Sequence, residues 1–137
     1  MSRPILLDTC ALLWLANNDK LSGAAESAFQ EMELDPDGVS VSPISAWEIG
    51  QLVSRGRLRL PIDPLQWFRR NLDQGMALAP LSPSVLVASS FLPGSGLRDP
   101  ADRILAATAR ELGYRLMTRD RPLLQFASEG HVQAIAC

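Results

Sequence analysis

Histidine and lysine are nearly missing from this chain, which has one of each, His131 and Lys20. A single histidine excludes catalysis that passes protons between two imidazoles. Cysteine is scarce too. Cys10 and Cys137 are too few for a disulfide scaffold and lack the spacing of a zinc site. Cys10 lies in an apolar run and is expected as a small core residue. Cys137 is the last residue and is expected to be exposed. No apolar run reaches the ~20 residues of a membrane span. Asp8 cuts short the N-terminal apolar stretch, and no small-residue cleavage site follows it, so no secretory signal is expected and the cytoplasm is the expected compartment. There is no Gly-rich phosphate loop and no serine in a Gly-x-Ser-x-Gly turn. Repeats and low-complexity segments are absent.

What remains is an ordinary globular composition. The 137 residues, 47% of them hydrophobic, suit one domain spanning 1–137 with one core. A net charge of −2 does not announce a nucleic-acid binder. Yet twelve of the thirteen basic residues are arginine, whose planar fork suits phosphate. A GC-rich genome explains that bias equally well.

Strand-like and helix-like segments alternate. Strands are expected at Ile5–Leu7, Val39–Ser42, Met76–Ala79, Tyr114–Thr118 and Val132–Ile135. Helices are expected over Thr9–Ala16, Ser22–Met32, Pro43–Arg55, Pro64–Leu72, Ser82–Phe91, Pro100–Leu112 and Pro122–Ala127. Asp63 and Asp99 read as N-caps followed by proline at the first helical position, and Gly113 as a C-terminal stop. The alternation predicts a three-layer α/β/α sandwich around a mainly parallel sheet. Sites in such sheets lie beyond the carboxyl ends of the strands.

Four acids fall at those strand ends and helix starts: Asp8, Glu48, Asp102 and Asp120. Each has a purely structural explanation. Asp8 and Asp120 fit N-caps, Ser45-Ala46-Trp47-Glu48 fits a capping box, and Asp102 complements a helix dipole. Jointly they mean more, because two carboxylates about 4 Å apart repel by roughly 4 kcal/mol near a protein surface. Four at one sheet edge call for a cation, and oxygen-only ligands suit Mg²⁺ or Mn²⁺. The chemistry left is metal-assisted hydrolysis, in which the cation acidifies water, stabilises the leaving oxygen and orients phosphate.

The stretches Leu6-Leu7-Asp8-Thr9-Cys10-Ala11-Leu12-Leu13-Trp14-Leu15, Ile44-Ser45-Ala46-Trp47-Glu48-Ile49, Arg98-Asp99-Pro100-Ala101-Asp102-Arg103-Ile104-Leu105-Ala106-Ala107-Thr108-Ala109 and Leu116-Met117-Thr118-Arg119-Asp120 together resemble the PIN-domain family, and within it the VapC-like toxins. The resemblance implies an α/β/α fold, Mg²⁺- or Mn²⁺-dependent endoribonuclease activity and a cognate antitoxin protein. It makes Asp8, Glu48, Asp102 and Asp120 the catalytic acids, with Asp8, Asp102 and Asp120 as metal ligands. Asp99 competes with Asp102 for the third position; it is expected to cap its helix and to reach metal through water. Thr9 and Thr118 are implied to hold metal-bound water.

Arg98, Arg103, Arg119 and Arg121 flank the acids and are expected to contact RNA, although Arg103 fits a salt bridge equally well. Trp14, Trp47 and Trp67 read as core residues or as anchors of a partner groove. An RNA substrate, an antitoxin and a homodimeric partner are expected, and no membrane. Other readings are an RNA-processing nuclease of the same fold, or an inactive PIN-like interaction module. A receiver-type phospho-acceptor domain would need a lysine near its last strands, and Lys20 lies far from them.

Overall fold

The computed structural model describes residues 2–137. Its strands are β1 (Ile5–Leu7), β2 (Val39–Val41), β3 (Ala77–Leu78), β4 (Arg115–Thr118) and β5 (Gln133–Ala136). Its helices are α1 (Thr9–Ala16), α2 (Gly23–Glu31), α3 (Pro43–Ser54), α4 (Pro64–Leu72), α5 (Pro83–Ala88), α6 (Pro100–Leu112) and α7 (Arg121–Ser128). All strand pairs are parallel, in the order β3-β2-β1-β4-β5.

Strand alternation builds the three layers. Ile5, Leu7, Val41 and Met117 pack into one core with residues of α1 to α4. Leu6 and Leu116 point the other way, into a second core with residues of α6 and α7. A strand residue's two neighbours face the opposite side, so three consecutive buried residues in β1 serve both cores. The chain winds outward from β1 to β3 on one face, then returns to β4 on the other. The crossover between β1 and β4 is the point where an open sheet of this kind offers a crevice.

Local chemistry sets the helix ends. The Asp8, Ser22, Ser42, Asp63, Ser82, Asp99 and Asp120 side chains each accept a backbone amide in the first turn of the helix that follows. Gly113 closes α6 at φ 80°, a left-handed position that costs glycine nothing.

Three sequence expectations change. Helix α3 is capped by Ser42, so Ser45 is an interior, fully buried residue and Ser45–Glu48 is no capping box. Helix α5 stops at Ala88, short of Phe91, where the Ser90 and Phe91 amides turn to the Val87 and Ala88 carbonyls three residues back and Pro93 has no amide to extend the ladder. The cysteines are reversed: Cys10 is exposed and Cys137 buried. The Cys137 amide donates to the Thr118 carbonyl and its own carbonyl accepts from Ser22, which ties the terminal residue into the sheet edge.

Candidate active site

Parallel pairing aligns the ends of the three central strands, with Leu7 opposite both Val41 and Met117. Asp8 follows β1 directly and caps α1. Its Oδ1 accepts from the Ala11 amide at 2.7 Å and its Oδ2 from the Thr118 hydroxyl at 2.5 Å. Thr118 ends β4 and also accepts from the Asp120 amide at 2.9 Å. One buried hydroxyl thus links two acid positions 112 residues apart in the chain. Asp120 caps α7 through Oδ2, 3.1 Å from the Leu123 amide.

Glu48 reaches the same end from the second turn of α3. Thr9, at the start of α1, donates its hydroxyl proton to Glu48 Oε1. That proton being spent, the Ser45 hydroxyl donates to Thr9 at 2.9 Å. Ser45 was missed as a site residue. Its spacing of three from Glu48, which puts both on one helix face, was the available signal. Helix α6 brings the last two acids, and Asp99 Oδ1 caps it by accepting the Asp102 amide at 3.0 Å.

The acids feel one another. Burial chiefly raises the Asp8 carboxyl, the Thr118 and Ala11 hydrogen bonds oppose it, and Asp120 adds to it. Glu48 is raised by burial, lowered by Thr9, and raised again by Asp99 and Asp8. At Asp102 nothing opposes: burial, then the charges of Asp120, Asp99, Glu48 and Asp8, push the carboxyl up to about 8. Although Cys10 as a residue is exposed, its thiol is pushed up to about 11, first by partial loss of water around it and then by the charges of Asp8, Glu48, Asp102 and Asp120.

Among the described residues the one ion pair, Arg115 with Glu31 at 3.4 Å, involves none of these acids. Oxygen donors with uncompensated negative charge are the donor set a hard divalent cation takes. As the side chains stand, no three His, Cys, Asp or Glu among the described residues come close enough together to hold a metal ion. Like charges favour that separation, and the shared charge and topology, rather than a closed coordination shell, carry the fit.

The raised Asp102 carboxyl has a consequence for stability. The fold holds this proton more tightly than the unfolded chain does, where the group titrates near 3.8. Its contribution is fully present below that pH and is lost as pH rises through about 8. Asp8 and Glu48 shift in the same direction. In chelator the melting temperature is expected to fall across that window, and Asp102→Asn to flatten the fall. A flat wild-type profile would mean that the charges do not converge.

The flanking arginines divide into two pairs. Arg98 and Arg121 are exposed. Arg103 is half-buried and donates to the Ser89 and Leu97 carbonyls at 2.9 and 2.6 Å, fixing the approach to α6. Arg119 donates to the Lys20 carbonyl at 3.0 Å and lies 3.9 Å above the Trp14 ring. Trp14 and Trp67 pack against the core, while Trp47 is 56% exposed. His131 lies away from the acids, against Phe126.

Known proteins share this fold. Residues 5–128 match the family model described as PIN domain. The chain is 38% identical over 120 residues to Ribonuclease VapC22 of Mycobacterium tuberculosis, covering 87% of this chain and 88% of that one. Its fold superposes on a chain of the VapBC2 complex from Rickettsia felis bound to a promoter DNA fragment, with a TM-score of 0.65, 14% identity and 96% of each chain covered. A toxin–antitoxin complex from Klebsiella pneumoniae gives 0.60 at 21% identity, again over 96% of each chain. A parallel sheet that gathers acids where its winding reverses, and a family match over nearly its whole length, lead to one conclusion: the chain belongs to the PIN-domain family.

Proposed function

We propose that this chain is a divalent-metal-dependent endoribonuclease of the cytoplasm, the toxin of a toxin–antitoxin pair. The observation that carries the reading is the hydrogen bonding at the ends of β1 and β4, where the Thr118 hydroxyl donates to Asp8 and accepts from the Asp120 amide, and Thr9, next to Asp8, donates to Glu48. A relative named a ribonuclease, at 38% identity, supports the activity. Fold neighbours drawn from toxin–antitoxin complexes support the partner.

Asp8, Asp102 and Asp120 are the residues to hold Mg²⁺ or Mn²⁺, with Asp99 at the margin, and binding requires these carboxylates to draw inward. The bound cation would polarise the scissile phosphate and make water nucleophilic at neutral pH. The chain's own contribution is placement. Thr118 and the Ala11 amide hold the two oxygens of Asp8. Thr9, itself held by Ser45, holds Glu48. Such outer hydrogen bonds fix ligand orientation. Arg98 and Arg121 are the leading phosphate contacts, and Arg103 and Arg119 shape the rim. A cavity of about 510 Å³ between α1 and α4, lined by Leu13, Trp14, Leu60 and Trp67, suits an apolar partner segment. The exposed Val87 and Phe91 support a homodimer.

An inactive PIN-like module is the second reading, favoured by the spread of the carboxylates as they stand. One experiment separates the two: purified protein incubated with cellular RNA, with Mg²⁺ or Mn²⁺ or with chelator, and the cuts mapped by their ends. Discrete metal-dependent cuts are expected, and intact RNA under all conditions would overturn the nuclease reading. RNA binding is expected to weaken steeply with salt. In Arg98→Ala the slope of log affinity against log salt should drop by roughly one; an unchanged slope would remove Arg98 as a phosphate contact.

A further inference from the structure

A cleft of about 390 Å³ opens from the carboxylates across α3, a volume within the ordinary range of small-ligand sites. One end is the reaction centre, where Thr9 and Glu48 line it. The other end is basic, lined by Arg55 and Arg57 just past the end of α3. Among the described residues neither arginine is in an ion pair. Along α3 the lining runs Trp47, Glu48, Gln51 and Leu52 toward Arg55, and Pro100 of α6 also lines the cleft.

Trp47 is unusual in this company. It directly precedes Glu48 in the chain, yet it is 56% exposed, while Ile49 on the same helix is 1% exposed. Leaving so large an aromatic half in water forgoes most of what its burial would contribute. Its rotational position on α3 puts the indole in the cleft rather than in either core.

We propose that this cleft is a nucleotide subsite that takes one unpaired base of RNA beside the scissile phosphate, with the base on the Trp47 ring and the next phosphate on Arg55 and Arg57. The cleft lining holds the groups a single strand uses: an acidic centre for the reacting phosphate, an aromatic plane beside it for a base, and a basic end for a neighbouring phosphate. Base–aromatic stacking is a standard source of affinity for single strands. A base held inside a duplex is stacked on its neighbours and cannot present its face to Trp47. The Gln51 amide offers both a donor and an acceptor to the base edge, so it is the residue here able to discriminate among bases. The subsite rests on the ribonuclease reading above for its substrate class.

Binding separates the two claims. The protein carries Asp8→Asn and is kept in chelator, so no cleavage interferes. The probes are a fluorescein-labelled single-stranded RNA hexamer, the same sequence within a hairpin stem, and a hexamer of abasic ribose phosphate, followed by polarisation. Trp47→Ala should weaken binding of the single-stranded hexamer by about tenfold or more. Trp47→Phe should restore most of it, which separates stacking from a folding defect. The abasic hexamer should bind weakly and equally to both proteins, and the hairpin stem should bind no better than the abasic strand. Equal binding of the single-stranded hexamer with tryptophan and with alanine would overturn the subsite, even if wild-type protein cuts RNA. Trp47-dependent binding without cleavage by the wild type would instead overturn the nuclease reading and leave the subsite standing. If Trp47→Ala spares RNA binding but releases a co-purified antitoxin protein, the cleft belongs to that protein and the proposal fails.

Discussion

Asp8→Asn is expected to lower the rate of RNA cleavage by about 100-fold or more while leaving the protein folded. Asp8 is buried, and burial is the first cause of its raised carboxyl, so its charge is held there against a solvation cost. Asparagine has the same shape and no charge. Its carbonyl oxygen can still accept from the Ala11 amide, and its NH₂ group can donate to the Thr118 hydroxyl, which turns to accept. The cap on α1 survives and the repulsion with Asp120 disappears. What is lost is one anionic oxygen donor of the proposed cation site. Lewis-acid stabilisation contributes several kcal/mol, and each ~1.4 kcal/mol is a factor of ten in rate. Melting in chelator and cleavage in Mn²⁺, measured on the same preparation, decide the matter. An asparagine variant that cuts as fast as wild type removes Asp8 from the reaction. A variant that melts well below wild type means that the site contributes stability instead of costing it.

Expressed alone, the chain is expected to arrest growth, and co-expression of its antitoxin should restore it. Asp8 is buried, but Glu48, Asp102 and Asp120 are only half-buried, and Cys10, two residues from Asp8, is exposed, so the site opens to solvent. An uncovered ribonuclease acts on the RNA of the cell that makes it, so its restraint has to come from a second molecule. The α1–α4 cavity, with Trp14 and Trp67 in its wall, offers apolar area for that molecule to bury. Growth curves with the lone gene, with Asp8→Asn, and with the neighbouring reading frame added give the answer. Arrest that persists in Asp8→Asn would trace toxicity to something other than cleavage. Growth unaffected by a high level of intact protein would end both the toxin reading and the need for a mask.

The sequence by itself determined the layered fold, because the information is local. Alternation in Ile5-Leu6-Leu7 assigns one side chain to one core and its neighbours to the other. The Asp63-Pro64 and Asp99-Pro100 pairs start helices, and Gly113 ends one, through groups within a few residues of one another. Proline-led starts and glycine stops need no distant partner to act. The places of the four acids in the fold were legible for the same reason, each lying just past a strand or early in a helix.

Only the tertiary structure decided which way those helices turn and what meets at their ends. Cys10 sits in an apolar run yet is exposed, because the rotation of α1 buries Thr9, Ala11 and Leu12 instead. Cys137 ends the chain yet is buried, because β5 pairs with β4 and draws it in. Ser45 looked like a cap and became the support of Thr9, once Ser42 took the capping position. Arg103 had the sequence position of an RNA contact, and packing turns its guanidinium onto two carbonyls. Asp99 competed with Asp102 for the third position in sequence and was expected to cap its helix. In the structure Asp99 spends an oxygen on its cap, and Asp102 faces burial and four like charges unopposed. Periodicity states that a helix has an inner face, but the exposure and charge of each side chain depend on residues far along the chain, and only packing brings those into contact.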